Sequence, residues 1–235
     1  MRGLTARDCL DLCDDGAPLD WVSRGLLLAG AAWPDGSPDA CAALPIGVRD
    51  RLLIVLRVRT FGPSMAVRFR CPACSADLIA TVDLGAVLAE HPTTPPSTVR
   101  LEVNGQAIEA RLPSSDDLLA TTGLAPFEAE WALYDRCLVA AASGDRRALR
   151  QHVADAIALA DPLTGFEVEL ECTSCGTRCP ETFDIVSAFW KEIEVRADRT
   201  AREIDALAEA YGWTEAEVLA LSPSRRARYL ALRDR

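Results

Sequence analysis

Two short motifs, Cys71-Pro72-Ala73-Cys74 and Cys172-Thr173-Ser174-Cys175, carry the residue types best suited to chemistry. Two residues between cysteines let one tight turn aim both sulfurs at a single ion, and Zn²⁺ favours four soft ligands in a tetrahedron. The motifs are copies of one pattern. A shift of 101 residues places Val67 on Val168, Phe69 on Leu170, Cys71 on Cys172 and Cys74 on Cys175. The same shift places Thr81 on Thr182, Val82 on Phe183, Asp83 on Asp184 and Leu84 on Ile185. Each unit reads as strand, Cys-x-x-Cys, a short connection and a second strand. Together they predict a split zinc ribbon, with Cys71, Cys74, Cys172 and Cys175 holding a structural Zn²⁺. Four thiolates leave no open position, so the site is closed and not catalytic.

A dithiol oxidoreductase is the competing chemistry. Such motifs place the first cysteine at a helix N-terminus, which lowers its pKa. Here each motif follows a strand, which favours metal. Of the nine cysteines, Cys179 could offer a fifth thiol, but the repeat sets it on Leu78 and it reads as a small buried hydrophobe. Cys9 and Cys13 are spaced for one face of a helix, and Cys41 and Cys137 read as core. An odd cysteine count in a reduced chain speaks against a disulfide framework.

Other chemistry is thin. Only two histidines are present, His91 and His152, and both read as surface residues. Asp14-Asp15, Asp116-Asp117 and the Glu128/Glu130 pair read as solvated carboxylates. There is no Gly-rich phosphate loop and no Gly-x-Ser-x-Gly elbow. The expectation is a non-enzyme without a small-molecule substrate.

The elements that position the motifs follow from periodicity. Trp21 to Ala32 and Val48 to Thr60 read as helices. Met65, Val67 and Phe69 alternate with polar or small residues as a strand, and Leu78 to Leu84 reads as its partner. His91 to Ser97 reads as a linker. Asn104-Gly105 between alternating runs predicts a hairpin of Thr98 to Val103 with Gln106 to Leu112. Ser114 or Ser115 can cap a short helix, and helices follow at about Pro126 to Ala141 and Asp145 to Ala160. From Ile185 to Tyr211 one apolar stripe runs at helical spacing, stopped by Gly212. Thr214 with Glu217 is a capping box, and Ser222-Pro223 opens a last helix.

These elements give an α+β chain in five segments: an N-terminal helical segment (1–62), the first zinc-knuckle half (63–84), an insertion with hairpin and helices (85–165), the second half (166–184) and C-terminal helices (185–235). The 235 residues suffice for a core without disulfide help. The net charge of −10 repels nucleic acid and anionic lipid. The longest apolar run, Gly25 to Trp33, is nine residues, against roughly 20 for a membrane span. The N-terminal residues lack the apolar core of a signal peptide, so a cytoplasmic location is expected.

The tail is locally basic. Residues 222–235 hold five arginines and one aspartate, +4 against −14 elsewhere. Arg225, Arg226 and Arg228 could touch nucleic acid, or the helix could complement its own dipole or an acidic neighbour. Trp190, Tyr211, Trp213 and Tyr229 are amphipathic aromatics suited to an interface or to ordinary core packing.

Larger patterns join these residues. Leu44-Pro45-Ile46-Gly47-x-Arg49-Asp50 precedes Leu52-Leu53 and Phe61-Gly62. The two Cys-x-x-Cys units follow, then Phe183-Asp184-Ile185 and Phe189-Trp190-x-Glu192-Ile193. Leu207-Ala208-x-x-Tyr211-Gly212-Trp213-x-Glu215 and Leu219-x-Leu221-Ser222-x-x-Arg225-Arg226-x-x-Tyr229-Leu230 close the chain. Over about residues 40–235 this resembles the T4-type phage baseplate hub assembly chaperone family, whose members also occur with phage-tail-like contractile injection systems. The resemblance implies a non-enzymatic role with hub or spike proteins as partners, either in assembling the baseplate hub or as part of it. Such a protein would be cytoplasmic or incorporated in the particle. Trp190, Tyr211, Trp213, Arg225, Arg226 and Tyr229 are then the candidate partner-binding residues. The alternative is a zinc-ribbon nucleic-acid-binding protein.

Overall fold

The computed structural model describes residues 1–91, 94–103, 105–140 and 146–233. Thr5 and Asp8 form a reciprocal capping box that starts α1 (Ala6–Gly16), the helix that carries Cys9 and Cys13. Asp20 caps α2 (Trp21–Ala32). Ser37 and Pro38 start the short α3 (Pro38–Ala43). Next comes α4 (Ile46–Phe61).

The first hairpin pairs β1 (Ser64–Arg70) with β2 (Asp77–Asp83), antiparallel, Val67 opposite Ala80. The second strand ends one residue before the expected Leu84. Asp83 accepts hydrogen bonds from the N–H groups of Gly85 and Ala86 at 2.9 and 3.1 Å, which starts α5 (Leu84–Glu90).

The insertion pairs β3 (Thr98–Val103) with β4 (Gln106–Arg111) as expected. Gly105 takes φ +76°, as a tight hairpin turn demands; Asn104 lies outside the described residues. Ser114 and Asp117 form the capping box of α6 (Ser115–Thr121), and α7 (Pro126–Cys137) follows. The helix expected to reach Ala141 ends at Cys137. Residues 138–140 instead form β5 (Leu138–Ala140) on the open edge of β4, giving a sheet of order β3-β4-β5. Sheet pairing overrides helical periodicity here. The end of that expected helix and the expected start of the next at Asp145 lie outside the described residues, as do Pro92 and Thr93 of the linker. α8 (Arg146–Ala160) completes a separate small core with Ile108, Ala110, Tyr134, Leu149 and Val153.

The second hairpin pairs β6 (Glu167–Glu171) with β7 (Arg178–Thr182). Asp184 then repeats the role of Asp83, accepting from Val186 and Ser187 at 2.9 and 3.2 Å, and starts α9 (Ile185–Tyr211). This helix has 27 residues, about 40 Å at 1.5 Å per residue. Gly212 ends it at φ +69°, the left-handed cap expected there. The capping box of Thr214 and Glu217 opens α10 (Glu215–Ala220), and Pro223 opens α11 (Pro223–Arg233).

The main core joins α2, α4, both hairpins and the first half of α9 around Leu28, Leu53, Leu56, Phe189 and Ile193. Two arginines of α4 lie inside it. Arg57 is 2% exposed and donates two hydrogen bonds, 2.8 and 2.6 Å, to the carboxylate of Glu192. Arg49, equally buried, donates to Asp50 at 2.8 Å and to Ser115 at 3.0 Å.

The start of α4 latches the insertion. Pro45 bridges to Ser114, the N–H of Ile46 donates to the Pro113 carbonyl at 3.0 Å, and Gly47 donates to Asp161. Among the described residues no helix is long and apolar enough to cross a membrane.

Candidate metal centre

Each hairpin tip is built alike. In the first, the Cys71 N–H donates to the Ala76 carbonyl at 2.9 Å, and the Ser75 N–H donates to the Cys71 carbonyl at 2.8 Å. In the second, Cys172 donates to Thr177 and Gly176 to Cys172, with the same two lengths. Ser75 and Gly176, one shift of 101 apart, both take left-handed backbone, φ +59° and +71°. This turn swings the second cysteine of each motif back over the first.

The hairpins pack with their tips together. Cys71 Sγ lies 3.7 Å from Cys175 Sγ, and Cys74 Sγ lies 3.6 Å from Cys172 Sγ. All four sulfurs lie within 4.8 Å of one another. A tetrahedron with metal–sulfur bonds of about 2.3 Å has edges of about 3.8 Å. The donor set therefore fits a metal ion, and the four cysteines could hold one. Cys71 and Cys172 are buried, and Cys74 and Cys175 are exposed, so the centre sits at the surface end of the paired hairpins.

The surrounding polarity favours thiolate at some positions. The backbone N–H groups of Cys74 and Ala73 push the Cys71 thiol down to about 6. Thr177, whose Oγ1 is 3.2 Å from Cys175 Sγ, lowers Cys175. At Cys74 the Ala76 N–H pulls the thiol down, but the neighbouring thiols outweigh it and raise it to about 12. Thiols this close cannot all ionise without a cation among them.

Cys179 stands beside this set. It is buried on β7, its Sγ 4.0 Å from Cys71 Sγ, and burial pushes its thiol up. With Leu78, its repeat equivalent, it fills the small apolar cluster under the thiolates. Cys41 and Cys137 are buried as read, and Cys9 is buried too, with Cys13 half-buried.

The other singled-out residues fall into two groups. Tyr211, Trp213 and Tyr229 form one aromatic cluster at the end of α9. Tyr211 stacks on Trp213 at 4.7 Å between ring centroids, and Trp213 meets Tyr229 edge-on at 4.9 Å. Arg225 is exposed beside it. Trp190 and Arg226 are instead interior, 4% and 2% exposed. Trp190 donates to Glu194 at 2.9 Å and carries the Arg24 guanidinium over its ring at 4.8 Å. Arg226 donates to Glu203 and to the Leu221 carbonyl, both at 2.9 Å. In this structure neither is open to a partner, because each completes packing within the chain.

Asp117 corrects the reading of the acidic pairs. Asp116 is exposed, but Asp117 is fully buried between Arg111 and Arg136, with contacts of 2.6 and 2.8 Å. Its capping contact with Ser114 is local, but the two arginines that pair with it lie on β4 and α7.

No family model, curated protein or solved structure matches this chain.

Proposed function

We propose that this protein is a non-enzymatic assembly factor or structural component of the baseplate hub of a contractile phage tail or phage-tail-like injection system. It acts through contacts with hub or spike proteins, in the cytoplasm or within the particle. A structural Zn²⁺ on Cys71, Cys74, Cys172 and Cys175 staples the two hairpins as a split zinc ribbon. Zinc is the metal best suited to four thiolates in a tetrahedral site in a reduced compartment.

The observation that carries this reading is the C-terminal stretch in which the family resemblance is most specific. Its residues act together: Tyr211, Trp213 and Tyr229 form one cluster, and Arg226 ties α11 back to Glu203 of α9. The motif thus builds a compact cap on a long helix, a rigid surface for another protein. The nucleic-acid alternative is weaker, since Arg226 is occupied within the chain, and Arg233 is bound to Glu209.

The test is made in the native host. The tagged protein is followed through sedimentation of assembled particles, and its companions are identified in each fraction. Co-sedimentation with sheath and baseplate marks a structural component. Presence only in the soluble fraction, bound to a hub or spike protein, marks an assembly factor that departs. A protein that meets neither description, or that binds DNA or RNA in a salt-sensitive way, overturns the proposal.

A further inference from the structure

We infer that the free edge of β1 is a docking site for an extended, acidic segment of another protein, which adds to the first hairpin as a third strand. This inference is independent of whether the assembly is a baseplate.

The edge follows from the register. Cys71 donates to Ala76 and Leu84 to Pro63, so the odd-numbered residues 63 to 71 form the hydrogen-bonded pairs with β2. The N–H and C=O groups of Ala66 and Arg68 therefore point away from β2. Among the described residues β1 pairs with β2 alone, and these groups have no partner. An unpaired strand edge is a template for another strand.

The edge opens into a groove of about 860 Å³ between β1 and α9. Its apolar surface includes Phe69, Phe183, Ala188 and Val195, the last 59% exposed. Its charge is what selects the occupant. Arg68, Lys191, Arg196 and Arg199 line it, against Asp184 and Glu192. Asp184 is used in capping α9, and Glu192 is held by Arg57. Lys191 and Arg199 have carboxylate partners, Glu194 and Glu203. The guanidinium groups of Arg68 and Arg196 have no hydrogen bond or ion pair among the described residues. A chain with net charge −10 thus keeps two uncompensated cations in one apolar groove beside a bare strand edge. The equivalent edge of the second hairpin carries Glu167, Glu169 and Glu171 instead, so the basic character belongs to this edge and not to the repeat. An occupant with apolar and acidic residues in alternation would place one set on the groove floor and the other against the arginines.

The experiment is selection of a displayed random nine-residue peptide library on the full-length protein, with an Arg68→Glu/Arg196→Glu variant run in parallel. The expected consensus alternates acidic and apolar residues. The best peptide, measured by fluorescence polarisation, should bind at least about tenfold more weakly to the variant and at high salt. N-methylation of alternate peptide amides should abolish binding, and bound peptide should protect the Ala66 and Arg68 amides from hydrogen exchange. The variant's circular dichroism and metal content show that it is folded. No enriched consensus, a basic consensus, or binding indifferent to N-methylation overturns the inference. So does self-association of the wild-type chain that Arg68→Glu abolishes, which would make a second copy the occupant.

Discussion

The backbone N–H of Gly47 donates to the Asp161 carboxylate at 3.0 Å across 114 residues of chain. The contact needs glycine, because a Cβ at position 47 would stand 1.8 Å from Asp161 Oδ1. Gly47→Ala must therefore push Asp161 away and leave it buried without this donor. A cost of about 2–4 kcal/mol is expected. Hydrogen exchange should rise at the start of α4 and around Ser114 while the hairpin tips stay protected. Unchanged protection at both ends would show that the latch is not stabilising.

Zinc analysis of the purified protein should find one ion per chain. Serine at Cys71, Cys74, Cys172 or Cys175 should remove it and lower stability by about 4–5 kcal/mol, the scale for losing a link that closes about 100 residues. The thermal midpoint should fall by roughly 10 °C or more. Cys179→Leu, which installs the residue found at the repeat-equivalent position, should keep the metal. Loss of metal in that variant would make Cys179 a ligand.

Asp117 gives the protein an acid-sensitive joint. Burial pushes its carboxyl up, but Arg111, Ser114 and Arg136 outweigh this and hold it well below the usual carboxylate range near 3.9. A depressed folded pKa contributes stability above the unfolded value, and that contribution is lost as pH falls through the low carboxylate range. Asp117→Asn should cost about 2–3 kcal/mol at pH 7. This is less than for a fully buried pair, because the Arg111 and Arg136 side chains are 37% and 43% exposed. Denaturant titrations should show the wild-type advantage constant above about pH 5 and shrinking below pH 4. A gap that does not change with pH would place the effect outside this ion cluster.

At the far end of the molecule, Arg226→Ala should leave the Glu203 carboxylate with Arg199 alone and free α10 and α11 from α9. The expected cost is local. Hydrogen exchange should rise over residues 203–230, and trypsin should cleave there, while metal content and the main melting transition stay near wild type. Global unfolding would mean that the cap is integral to the core.

The four-cysteine cluster was legible because its pattern repeats. Two cysteine pairs at one offset, each followed by Thr-apolar-Asp, place both the clustered cysteines and the aspartates that cap α5 and α9. The C-terminal helices were legible through local capping signals, which need no distant partner. Arg57 and Asp117 were not. A charged residue on a helix looks solvated until its partner is known, and Glu192 lies 135 residues from Arg57. β5 was hidden for a related reason, since Leu138-Val139-Ala140 continues an apolar helical run and only the edge of β4 makes it a strand.

The separation of the two hairpins also sets a schedule. At a translation rate of about 5–20 residues per second, Cys172 leaves the peptidyl-transferase centre about 5–20 s after Cys74. Throughout that interval the first hairpin holds only Cys71 and Cys74 of the four-cysteine cluster, and the main core lacks Phe189 and Ile193. The insertion has its own small core and can fold meanwhile. The order of synthesis thus makes the four-cysteine cluster a late assembly, one that waits for the second hairpin.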